Sequence, residues 1–81
     1  MVDTGTLVNV ATGKGTPLDS YKLEKNLTAA YNALGYAPGL AASRVSWAKT
    51  VLSKASGAGR VDALKTLSKE LGLQITPEQY Q

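Results

Sequence analysis

The side chains able to do chemistry in this chain are few and scattered. Asp3, Asp19, Glu24, Asp62, Glu70 and Glu78 are its acids, and the 81 residues include no cysteine and no histidine. Thiol chemistry, zinc fingers and imidazole acid–base catalysis are therefore excluded. Each carboxylate has an ordinary place. Asp19 and Asp62 fall in the first turns of expected helices, where the helix dipole favours negative charge, and Glu70 lies on the polar side of its own helix. The expectation is a non-enzymatic protein with no catalytic residue, no metal and no cofactor.

Two glycine-bearing stretches imitate phosphate loops without completing one. In GKGT, at 13–16, Gly15 separates the lysine from the threonine, and Val8 stands where the first glycine of a phosphate loop belongs. GAGR, at 57–60, lacks the third glycine of a dinucleotide fingerprint and has no parallel-sheet context. Both read as turns.

Nine basic residues against six acidic give a formal charge of +3, which permits an anionic partner but falls well short of a polybasic binder. One arrangement would use it. VLSKASGAGRVDALKTLSKELG places an apolar helix, a glycine turn and a second helix in helix-turn-helix order. Lys49, Lys54, Arg60, Lys65 and Lys69 would then form one positive surface on double-stranded DNA, with Arg60 beside the free N–H groups of the helix start holding a phosphate. The exposed face of that last helix carries Asp62, Lys65, Thr66 and Lys69, and none of the usual base readers arginine, asparagine or glutamine.

A second constellation points to protein contact. Leu40, Arg44, Trp47 and Val51 share one stripe, with Arg44 inside the apolar arc of its helix. Its stem can cover the bundle edge while the guanidinium reaches water and stacks on Trp47. Alternatively the four residues face a partner, since tryptophan and arginine together are what interface hot spots favour. Tyr21, off the leucine stripe of the first helix, either closes over the N-terminal arm or is exposed at an interface. A structural or interaction subunit docking on protein, or on itself, ranks narrowly ahead of the DNA-binding reading.

The elements that must position these residues are helical. Thr16 and Pro17 punctuate the start of a helix over 17–34, with Leu23, Leu27, Ala30 and Leu34 on one stripe and Gly35 beyond its end. Tyr36 in the YAPG linker folds back as a plug. A second helix over 39–55 is the most apolar and therefore central, and Val61, Leu64, Leu67 and Leu71 mark a third over 60–71, closed by Gly72. In SKASGAGRVD the break runs from Ser56 through Gly57 and Gly59, with a restart near Arg60. Thr76 and Pro77 repeat the cap signature and leave room for one short turn of helix.

Residues 1–15 carry three glycines and four β-branched residues between Thr4 and Val10, without helical periodicity. TLVNV reads as a short strand at most, and the segment as an arm that is flexible, extended or ordered by a partner. The expected fold is all-α: a small three-helix bundle over 16–81, an N-terminal arm over 1–15 and a short C-terminal helical turn. No leader pattern and no run of about 18 apolar residues is present, so the expectation is no membrane association and a place in the cytoplasm or a larger assembly.

Overall fold

The computed structural model describes residues 2–81. Four α-helices follow one another: α1 (Thr4–Ala11), α2 (Pro17–Ala33), α3 (Pro38–Lys54) and α4 (Gly57–Leu71), with a terminal 3₁₀ turn over Pro77–Tyr80. There is no strand among the described residues. The all-α expectation holds, and the architecture is a four-helix one.

The N-terminal segment is where the structure departs most from the expectation of an arm. Asp3 caps α1, its Oδ1 accepting from the N–H of Gly5 at 3.0 Å and of Thr6 at 3.3 Å, while Oδ2 accepts from the Thr6 hydroxyl at 2.9 Å. Those bonds, the Thr6 hydroxyl foremost, hold the Asp3 carboxyl below its ordinary pKa. Leu7 and Ala11, one turn apart, are buried in the common core. Four β-branched residues cost a helix roughly 0.5 kcal/mol each relative to alanine, and Gly5 about 1 kcal/mol more. A good N-cap returns about 1 kcal/mol, and burying one leucine a further 1.5–3 kcal/mol. Tertiary burial thus outweighs propensity, and TLVNV is helix rather than strand.

The remaining punctuation works much as the residue types suggest. Thr16 and Asp19 form a reciprocal capping box at 3.2 and 3.0 Å in front of α2, with Pro17 at its first position. Leu23, Leu27 and Tyr31 form its buried stripe. Tyr36 folds back, its ring centroid 4.9 Å from that of Tyr31. The break between α3 and α4 is shorter than SKASGAGRVD suggests. Only Ala55 and Ser56 are extended, and α4 begins at Gly57, whose φ of 53° uses the left-handed region, so Gly59 lies within the helix. Gly72 ends α4 in the left-handed conformation at φ 67°.

As expected, α3 is central: it packs against α1, α2 and α4. Ala41, Val45, Ala48 and Leu52 form its buried side, small residues interleaved with large ones so that three neighbours can approach. The terminal 3₁₀ turn lies on α4, with Pro77 buried and Tyr80 against the core.

Candidate interaction surfaces

One polar cluster joins three helices. Tyr31 of α2 is fully buried, and its hydroxyl donates to Glu70 Oε1 of α4 at 2.7 Å. Arg44 of α3 donates from Nη2 to Glu70 Oε2 at 2.6 Å, and its guanidinium lies 4.2 Å from the centre of the Trp47 ring. A part-buried carboxylate is tolerable here because both its oxygens receive strong donors. Burial works to raise the Glu70 pKa, but the bonds from Arg44 and Tyr31 outweigh it and leave the carboxyl below its ordinary value. The Tyr31 phenol moves the other way, pushed up by burial and then by the Glu70 anion. The bond to Glu70 likewise raises Arg44.

This cluster changes what Arg44 and Trp47 offer. The guanidinium stacks on Trp47, as one of the two sequence accounts has it, but it reaches Glu70 rather than running straight out to water. Trp47 and Val51 are half-buried against the core, while Leu40, at the start of the stripe, is 53% exposed. Tyr21 sits on a different helix, α2, so the stripe and Tyr21 belong to different elements. Glu70 is the residue that sequence reasoning missed. The signal was Arg44 itself: a cation inside an apolar arc calls for an anion on the facing helix.

On α2, Leu18 and Tyr21 are one turn apart and respectively 59% and 56% exposed. At 100° per residue they share the outer face of α2 with Lys22, Lys25 and Ala29, opposite Leu23, Leu27 and Tyr31. Lys25 places its ammonium 5.4 Å from the centre of the Tyr21 ring, a cation–π contact at the surface.

The basic residues of the helix-turn-helix reading are dispersed among several engagements. Lys49 pairs with Glu24 of α2 at 3.0 Å. The C-terminal turn takes two others: Arg60 Nη1 donates to the Tyr80 carbonyl at 3.0 Å, and Lys65 pairs with Glu78 at 3.0 Å. Glu78 is held below its ordinary pKa by its own backbone N–H first, then by Lys65. Lys54 and Lys69 are exposed in the last turns of α3 and α4, where a cation complements the helix dipole. The structure therefore engages Arg60 and Lys65 with the 3₁₀ turn, Lys65 through an exposed pair, and Lys49 with α2.

No helix among the described residues is long and apolar enough to cross a membrane. Comparison with protein-family models, with curated proteins and with solved structures finds no match to this chain.

Proposed function

We propose that the protein is a small non-enzymatic docking module that meets a protein partner through an outer helix face, chiefly that of α2. The observation that carries this reading is the exposed pair Leu18 and Tyr21, aligned on one face and more than half accessible. Single exposed leucines are common, but a leucine and a tyrosine in register, with a lysine laid over the tyrosine ring, make a contiguous amphipathic patch. Leu40, at the start of the Arg44–Trp47–Val51 stripe, offers a second, smaller apolar contact.

The disposition of the carboxylates supports a role without catalysis. Asp3 and Asp19 cap helices, while Glu24, Glu70 and Glu78 are engaged in ion pairs. Engagement of Arg60 and Lys65 by the C-terminal turn favours docking on protein over docking on duplex DNA.

The test is site-directed photocrosslinking in the cells that make the protein. A benzophenone side chain at Ala29, on the α2 face, should give a discrete adduct that disappears in the Leu18→Ser, Tyr21→Ser variant. The same group at Ser53, exposed on α3, should not give that adduct. Identical adducts from both positions, or an Ala29 adduct indifferent to the double substitution, would overturn the proposal.

A further inference from the structure

The geometry points to the kind of partner: an acidic, amphipathic helical segment lying along the outer face of α2. This deepens the docking proposal and rests on it. From Leu18 to Ala29 the face runs about 16 Å, three turns of helix. It presents Leu18 and Tyr21 as its apolar centre, with Lys22 and Lys25 beside them. No carboxylate lies on it. The two acids that flank it are already committed, Asp19 to the capping box with Thr16 and Glu24 to Lys49 across the α2–α3 contact. No acid of α2 pairs with these lysines. Lys22 feels Asp3 of α1, whose carboxyl it helps to hold low, while Lys25 lies over the Tyr21 ring and is in no ion pair among the described residues, so a partner's carboxylates are what would complete this face.

Charge decides between occupants. A second copy laid on the same face would set Lys22 and Lys25 against another pair of lysines, and like charges opposed across an interface cost affinity and specificity. A helix carrying glutamates or aspartates one turn apart, with an aliphatic or aromatic residue between them, meets Lys22 and Lys25 while covering Leu18 and Tyr21. An anionic bilayer would also attract the lysines, but two lysines and two large apolar residues are few for stable surface binding. The footprint of one three-turn face is well below the roughly 1,200 Å² of a standard interface, so the complex belongs to the transient class.

Titration of the uniformly ¹⁵N-labelled full chain, followed by amide chemical shifts, tests this. The probes are a synthetic glutamate/leucine amphipathic helical peptide, its lysine/leucine counterpart, a mixed-sequence DNA duplex and vesicles with one-third anionic lipid. The acidic peptide should shift amides within 18–29. Its binding should weaken about tenfold in Lys22→Glu, Lys25→Glu and several-fold on raising salt to about 0.5 M, where charge pairs are screened. Circular dichroism confirms that the variant is folded. Equal binding by the lysine/leucine peptide at the same amides overturns the acidic partner while leaving docking at α2 standing. Tighter engagement of that face by duplex or vesicles also overturns it. Failure of both peptides to shift 18–29 overturns the acidic partner too, and crosslinking from Ala29 then decides separately whether α2 docks anything.

Discussion

Replacing Tyr31 by phenylalanine isolates one bond in the cluster that ties α2 to α4. Phenylalanine keeps the buried ring and its 4.9 Å contact with Tyr36, and removes only the hydroxyl that donates to Glu70 at 2.7 Å. A hydrogen bond to a charged group contributes about 1.5–3 kcal/mol net. The Glu70 side chain keeps 26% of its surface exposed, so water can replace part of the lost donor and the lower end applies. The expected cost is about 1.5 kcal/mol at pH 7, or roughly 6–12 °C in Tm for a domain of this size. Acid should reduce it. The folded Glu70 pKa lies below the unfolded value of about 4.3, so its stabilisation is fully present above that value and is lost as pH falls through the folded pKa. Below that point Tyr31 meets a neutral carboxylic acid, and the cost should fall to about half. Urea unfolding by circular dichroism at pH 7 and at successive steps down through the acid range measures both numbers. A cost under about 0.5 kcal/mol at pH 7, or a cost that grows as pH falls, would refute the assignment of a charged bond.

Leu7→Ala should destabilise by about 3 kcal/mol, because Leu7 is fully buried; an N-terminal arm would register almost nothing in the same urea experiment. Glycine-to-alanine changes at the α3–α4 break should have opposite signs. Gly57→Ala costs about 1 kcal/mol because φ is 53°, whereas Gly59→Ala gains roughly 0.5–1 kcal/mol because it is helical and a methyl there meets nothing within 4 Å. Equal effects at the two would contradict a helix start at Gly57. Fluorescence anisotropy with a 20-base-pair duplex should find the full chain binding more weakly than about 100 μM at ~0.15 M salt, since Arg60 and Lys65 are held by the C-terminal turn. Tight, steeply salt-dependent binding lost in Arg60→Ala would restore the helix-turn-helix reading.

How far the fold was legible depended on whether a helix announces itself locally. Thr16, Pro17 and Asp19 form a start signal complete within four residues, and the leucine stripe behind them is long enough to show its period. In α1 the period has only Leu7 and Ala11 to mark it, among glycine and β-branched residues that argue for other conformations. Its cap, Asp3, was visible as a residue type, but the decisive contribution is burial against α2 and α3, which no local window contains. The same divide separates the candidate sites. Stacking of Arg44 on Trp47 follows from spacing within one helix, whereas the pairing with Glu70 depends on how α3 and α4 come together. Gly57 and Gly59 looked equivalent in sequence, and only the backbone shows that one turn glycine suffices.

A formal charge of +3 says little about partners until its distribution is known, and the fold supplies that distribution. Five of the six carboxylates act within the molecule, two as caps and three in ion pairs with Arg44, Lys49 and Lys65. Arg60 is taken by a backbone carbonyl. The outward charge therefore rests on lysines, and on α2 two of these flank the largest exposed aromatic and one of the largest exposed aliphatics. Acids committed to caps and to ion pairs on other faces leave the outer face of α2 both apolar and cationic. Such a face discriminates better than either property alone, since apolar area supplies the attraction and the lysines reject partners of like charge. Reversing Lys22 and Lys25 while keeping Leu18 and Tyr21 should accordingly change which peptide binds, from acidic to basic, rather than abolish binding.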